Sequence, residues 1–209
     1  MTVQEEYFKN LSDILKKNFK RKGFAFNSFS NKEEAKKFVL SKIKKEDIIT
    51  FGGSYSVNQM GILEDLKGYK NFVDRNNKEL KTDAEIKAFT SDVYLCSANA
   101  ISKNGDIIEI DGSGNRTAAV IYGPKKVFLI VGKNKLANTE KEALKRAKDI
   151  AAAQNSIRFK ADNPCAVGDM ICKDNCEIDK RMCAYTVIIN KCHIKDRIHI
   201  IFIDEELGF

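Results

Sequence analysis

Between residues 92 and 132 the runs DVYLC, IIEI and KVFLIV each pass into a turn that carries Asn, Asp or Gly. Short apolar runs bounded in this way suit strands buried on both faces. Such strands need helices between them to cover the sheet, and this restricts the chain more than any other feature. The helices are legible elsewhere. Residues 2–21 place Val3, Tyr7, Leu11, Ile14, Leu15 and Phe19 on one face, with Thr2 and Glu5 spaced as a capping box and Gly23 as the stop. Ser30 and Glu33 make a second box ahead of Ala35, Phe38, Val39 and Ile43, and Thr139 with Glu142 a third, opening a helix that runs to Ala153. Met60, Ile62, Leu63 and Leu66 return to helical spacing, as do residues 83–89 and, more briefly, 115–121. Further strands are expected at residues 24–26, 47–51, 72–73, 185–189 and 198–203.

This alternation defines an α/β protein with a mostly parallel sheet and helices on both faces. With 209 residues, 43% of them hydrophobic, the chain buries roughly 70% of its unfolded surface. A single domain, residues 1–209, is the expectation, with an N-terminal helix in residues 1–23 and an irregular Cys-rich insertion in residues 163–183. No apolar run approaches the roughly 20 residues that span a bilayer, and no signal peptide pattern opens the chain, so a cytoplasmic location is expected. The net charge of +7 is spread among acidic neighbours, as in Lys32-Glu33-Glu34 and Glu140-Lys141-Glu142. Nucleic-acid binding calls for basic residues clustered with aromatics on one surface, so the pattern argues against it. It suits small anions, and leaves self-association open.

Two turns carry candidate chemistry. Gly52-Gly53-Ser54-Tyr55-Ser56 joins a strand to a helix, where glycines admit close backbone approach and free N–H groups face an anion, with the Ser54 and Ser56 hydroxyls as further donors. The plainer alternative is a tight turn with Ser56 as N-cap. Asp111-Gly112-Ser113-Gly114-Asn115-Arg116 sets a carboxylate, flexible backbone, an amide and a guanidinium side by side. Arg116 can clamp a carboxylate or phosphate, and Asp111 can orient a hydroxyl or act as a base; alternatively the two pair and fasten the turn. Asn99 follows a strand and bonds either a ligand or its own backbone. Gly52, Gly53, Ser54, Ser56, Asn99, Asp111, Gly114, Asn115 and Arg116 are therefore the expected ligand-binding set, on two glycine-bearing strand ends of one sheet.

Cys165, Cys172, Cys176 and Cys183 fall where periodicity stops, and a metal can supply cohesion that an irregular segment lacks. Four thiolates suit zinc or an iron–sulfur cluster, although C-x6-C-x3-C-x6-C is neither a pair of C-x2-C units nor a ferredoxin run. Buried reduced thiols and redox disulfides are the alternatives. Cys96 and Cys192 read as packing residues and His193 and His199 as structural. No Ser or Cys pairs credibly with either histidine, which leaves a nucleophile-and-base hydrolase without support.

The segments Ser97-Ala98-Asn99-Ala100-Ile101, Gly105, Asp111-Gly112-Ser113-Gly114-Asn115-Arg116, Tyr122-Gly123-Pro124 and Val131-Gly132 resemble the LUD-domain family, the lactate-utilization proteins. Gly52-Gly53-Ser54 and the closing Glu205-Glu206-Leu207-Gly208-Phe209 fit as well, so the likeness covers most of the chain from about Phe24 onward. It implies the fold shared with sugar-phosphate isomerases and CoA transferases (NagB/RpiA/CoA transferase-like), in which a Gly-Ser turn after a strand binds anionic groups. It also implies a role beside an iron–sulfur assembly that oxidises lactate. Similar chains commonly space the central cysteines more closely than Cys172 and Cys176, so a metal role does not carry over directly. The expected function is an accessory component of lactate or organic-acid utilization that binds a small anionic metabolite. The alternatives are a non-catalytic redox-assembly subunit that holds zinc or a cluster and docks iron–sulfur partners, and an isomerase or transferase acting on a sugar phosphate or CoA ester. For the last, Asp111 and the neighbouring Glu109 are the carboxylates at hand.

Overall fold

A computed structural model describes residues 1–167, 170–177 and 181–209. Its strands are β1 (Ala25–Phe29), β2 (Ile49–Phe51), β3 (Val93–Cys96), β4 (Ala100–Ser102), β5 (Ile107–Asp111), β6 (Lys126–Gly132), β7 (Leu136–Ala137), β8 (Tyr185–Ile189) and β9 (Ile198–Ile203). The helices are α1 (Val3–Arg21), α2 (Lys32–Ser41), α3 (Tyr55–Met60), α4 (Ile62–Leu66), α5 (Lys81–Ala88), α6 (Asn115–Ile121), α7 (Glu140–Arg146) and α8 (Ala153–Arg158). A π-helical stretch, Ala147–Ala152, joins the last two.

Strands β1-β9-β6-β3-β2 form one sheet in which every neighbouring pair is parallel. The two-residue period of a strand divides its apolar residues between two cores. Val127, Leu129 and Val131 of β6 join Leu15 and Phe19 of α1 and Val120 of α6, whereas Phe128 and Ile130 join Val39 of α2, Val57 of α3 and Leu66 of α4. Helices therefore cover both faces. Phe19, Phe24, Phe128 and Phe202 are fully buried, and each such side chain contributes roughly 1.5–3 kcal/mol through burial.

The second sheet, β7-β4-β5-β8, corrects one expectation. The IIEI run lies in this sheet as β5, antiparallel to both β4 and β8, and not in the parallel one. Only residues 97–99 separate β3 from β4, and a parallel crossover needs about a dozen or more. The chain instead folds into a hairpin that turns at Gly105, with φ +87. Ile101 and Ile107 pack toward the parallel sheet, while Ile108 and Ile110 pack against Ala143 of α7 and the adjoining Ala147.

Local signals held with small shifts. Thr2 and Glu5 form the capping box of α1, and Thr139 caps α7 through the Glu142 amide. At α2 the cap is Asn31, whose side chain accepts from Glu34 N–H, so the expected Ser30 box is displaced by one residue. At α3 the cap is Ser54 and not Ser56. The Cys-rich insertion, residues 163–183, includes residues 168, 169 and 178–180, which lie outside those described. Among the described residues no helix is long and apolar enough to cross a membrane.

Candidate functional site

All strands of the parallel sheet point the same way, so the segments leaving their carboxyl ends meet at one edge, where α/β sheets open their crevices. Gly52 and Gly53 leave β2, Ser97 leaves β3, and the 3-10 turn Lys133–Lys135 leaves β6. Asn134 of that turn accepts from Leu207 N–H at 3.1 Å and donates to Gly208 O at 3.2 Å, pinning the tail that follows β9. Together with the β5 end they enclose a cleft of about 750 Å3. Ala151 and Ala152 of the π-helical stretch form part of its wall, an irregularity often found at functional sites.

The glycine of the first turn is required by crowding. A Cβ on Gly52 would stand 2.5 Å from the Tyr94 hydroxyl and 3.1 Å from Arg116 Cγ. Gly52 N–H is committed to Leu95 O, while among the described residues Gly53 and Ser54 N–H have no acceptor. Ser54 caps α3 and Ser56 Oγ donates to Leu207 O at 3.2 Å. Both serines line the cleft.

The second turn lines the same cleft, although from the other sheet, and Arg116 reaches the first turn. Its polar groups are engaged internally. Arg116 donates from Nη1 to Ser97 O at 2.7 Å and from Nη2 to Asn99 Oδ1 at 2.8 Å and Ile110 O at 2.7 Å. Asn99 Oδ1 also accepts from Ile110 N–H. Asp111 Oδ2 accepts from the amide and hydroxyl of Thr117, serving the start of α6 because Gly114 has no side chain to cap it. Asp111 is 3.9 Å from Arg116 Nε. Asn115 lines the cleft; Gly114 does not, holding φ +79 against the Tyr185 ring instead.

The titrating chemistry lies on Lys135, which the sequence reading passed over, and on Glu109, which it named only as a carboxylate beside Asp111. Lys135, almost completely buried, lines the cleft and donates to Ser56 Oγ and Ser97 Oγ, each at 2.9 Å, and to Ala98 O at 3.1 Å. Three acceptors match the three N–H bonds of an ammonium. Burial, then the Arg146 and Arg116 charges, lower its pKa to about 7 against the opposing pull of Glu109. Glu109 is fully buried behind Arg116, whose Nη1 stands 2.7 Å from Oε2. That contact is out of line for a hydrogen bond, and among the described residues neither Glu109 oxygen accepts one. Burial raises its pKa to about 7, with Asp111 adding to the rise and Arg116 and Lys135 opposing it. The visible signals were a carboxylate interrupting the apolar run IIEI and a lysine just past Gly132.

Cys165, Cys176 and Cys183 also line the cleft, while Cys172 lies outside its wall. The Cys165 thiol is pushed up by burial and then by Cys176, Cys172 and Cys183, so the four sulfurs stand within electrostatic reach of one another. All six cysteines are free, and among the described residues no three His, Cys, Asp or Glu side chains are grouped to hold a metal. Cys96 is buried beneath the cleft floor, and Cys192 Sγ donates to Ile194 O at 3.1 Å. His199 packs on Phe128 with ring centroids 4.9 Å apart, and burial followed by the Lys126 charge lowers its pKa to about 4.

A parallel α/β sheet with a charged cleft at its strand ends defines a class of ligand-binding fold rather than a single protein. The family description "LUD domain" matches residues 13–203, and the chain belongs to the LUD-domain family. Among solved structures it is similar to a DUF162 family protein from Deinococcus radiodurans, with a TM-score of 0.56 and 9% sequence identity over 93% of this chain and 96% of that one. At that identity the likeness concerns the fold. No curated protein matches the chain.

Proposed function

We propose that the cleft binds a small anionic metabolite and that the protein is an accessory component of lactate or related organic-acid utilization. The observation that carries this reading is the charge of the floor. Arg116 and Lys135 act on the carboxylate Glu109, Arg116 also on Asp111, and Arg146 adds a further cation beside Lys135, which leaves positive charge uncompensated when all are ionised. In a partly dehydrated cleft such charge attracts an anion more strongly than it would in water. Gly53 and Ser54 N–H groups offer donors on the cleft wall, and Lys78, Lys81 and Arg158 extend the positive character to the rim. Membership of the LUD-domain family supports the broad link to lactate utilization.

Thermal unfolding with L-lactate, pyruvate, sulfate and coenzyme A tests the reading. A ligand at a hundred times its dissociation constant stabilises the native state by about 2.7 kcal/mol, which raises the melting temperature. A rise with at least one of these anions is expected; no rise with any of them removes the assignment.

The electrostatic proximity of the four thiols favours a second reading. Cys165, Cys172, Cys176 and Cys183 are a donor set of the kind that zinc or an iron–sulfur cluster takes, set beside the same cleft, and a subunit so equipped would pass electrons to or from iron–sulfur partners. Metal analysis of anaerobically purified protein decides it. Stoichiometric zinc or iron that falls when Cys176 and Cys183 are replaced by serine supports a metal role, and substoichiometric metal removes it.

A further inference from the structure

The floor of the cleft holds one group that the anion-binding reading leaves unexplained. Lys135 is wired to Ser56, Ser97 and Ala98 as an ammonium, yet it feels the like charges of Arg146 and Arg116 and the opposite charge of Glu109, a buried carboxylate that among the described residues accepts no hydrogen bond. A lysine whose sole task was to tie the three segments together would have no reason to be held against like charge. The tail closes over it: a Cβ on Gly208 would stand 2.3 Å from Ser56 Oγ and 3.1 Å from Lys135 Nζ. The remaining opening leads into the cleft, which Lys135, Ser56 and Ser97 all line.

We propose that Lys135 supplies the floor charge that holds a small carboxylate or other oxyanion in the cleft, and that the anion enters together with a proton taken up by the Lys135 and Glu109 pair. This rests on the anion-binding reading of the cleft and deepens it. The charged and titratable groups around the pair come from every element packed there: Tyr94 and Cys96 of β3, Glu109 and Asp111 of β5, Arg116 of α6 and Arg146 of α7. Tyr94 and Cys96, pushed up by burial, stay neutral, and Arg116 stays charged. Lys135 and Glu109 are left to change protonation near neutrality.

The direction follows from electrostatics. An anion beside Lys135 favours its ammonium form, and beside Glu109 it favours the neutral acid, so both respond by binding a proton. Without ligand at mildly alkaline pH the pair is short of a proton that the complex retains. Affinity therefore weakens as pH rises above neutrality, by about tenfold per pH unit for each proton taken up. Binding and release of the metabolite are thereby linked to proton uptake and release.

Isothermal titration calorimetry of the full chain with L-lactate, pyruvate and sulfate, between pH 6 and 9 in buffers of different ionisation enthalpy, tests this. These probes hold one charge state over the whole range, so each proton counted enters the protein. Uptake of roughly one proton per anion above neutrality is expected, with the matching loss of affinity. Lys135→Met should bind weakly, with uptake reduced to the Glu109 share and moved to higher pH, because Lys135 no longer lowers the Glu109 pKa. Glu109→Gln should shift the midpoint of the affinity profile to lower pH, because it removes the charge that supports the ammonium. Should Lys135→Met fail to fold, the Glu109→Gln midpoint decides, and an unmoved midpoint overturns the proposal. Binding that is independent of pH and takes up no proton also overturns it while leaving the anion site in place. Absence of binding by every probe overturns both.

Discussion

Two strand-end turns line the cleft, and they differ in a way that their residues do not announce. The turn from Asp111 to Arg116 is the most polar stretch at the edge, yet Arg116 and Asp111 are tied to Ser97, Asn99, Ile110 and Thr117. The turn Lys133–Lys135 looks plain, yet it delivers a buried lysine that titrates near neutrality. Polar side chains near a turn answer first to the backbone groups that the turn leaves without partners. A group titrates near neutrality when burial and the charges of other elements perturb it, and neither condition is local in sequence.

Arg116→Ala is the most severe break in the fastening turn. It strands Glu109 as a buried carboxylate with only Lys135 to offset its charge and frees the carbonyls of Ser97 and Ile110. Loss of one partner of a buried pair costs about 3–5 kcal/mol, measurable by chemical denaturation. Near-native stability combined with loss of anion binding would invert the comparison and make Arg116 a ligand.

Glu109→Gln probes the floor through pH. The folded-state pKa is raised from 4.5 to about 7, so the native state holds a proton that the unfolded chain releases. The stability this supplies is fully present below 4.5 and is lost as pH rises through 7, at about 1.4 kcal/mol per pH unit. Lys135 acts in the next window: its pKa is lowered from 10.5 to about 7, so stability rises with pH between those values. His199, lowered from 6.5 to about 4, opposes Glu109 at acid pH, so the informative quantity is wild type minus variant. That difference should decline from pH 5 to pH 8. A flat difference would mean that Glu109 is ionised throughout.

The same contrast explains what could be read from the chain. Periodicity located β6, β9, α1 and α7, because alternation and capping depend on neighbours a few residues apart. It missed β4 and β7, which are too short to carry a pattern, and it assigned β5 to the wrong sheet. The short link after Cys96 held that information, since it cannot house a parallel crossover. At the Gly52 turn the expectation was an anion against the backbone; what the glycine admits is the Tyr94 hydroxyl and Arg116, and the cap is Ser54, because Ser56 is drawn to Leu207 and Lys135. Lys135 escaped, and the raised pKa of Glu109 went unseen, because burial perturbs both and the charges acting on Lys135 after burial, Arg146 and Arg116, come from other elements.

A smaller effect is expected at Asp111. Asp111→Ala removes the acceptor for the Thr117 amide and hydroxyl, a capping interaction whose loss costs about 1 kcal/mol. If fastening is its role, denaturation should register that loss while anion affinity at the floor changes little. A large fall in affinity with unchanged stability would return Asp111 to the ligand set.

The smallest effect belongs to the rim. Lys81 is exposed and lines the outer cleft, where water and salt screen it, so Lys81→Ala should weaken anion binding by no more than about threefold near physiological ionic strength. The ratio should grow at roughly 0.01 M salt, where the screening length reaches about 30 Å. Lys135 is held away from bulk ions, and the effect of Lys135→Met should change far less over the same range. Affinities of both variants at two salt concentrations therefore separate steering at the mouth from the charge at the floor. Equal salt sensitivity would show that the two lysines act alike and that burial does not set the floor apart.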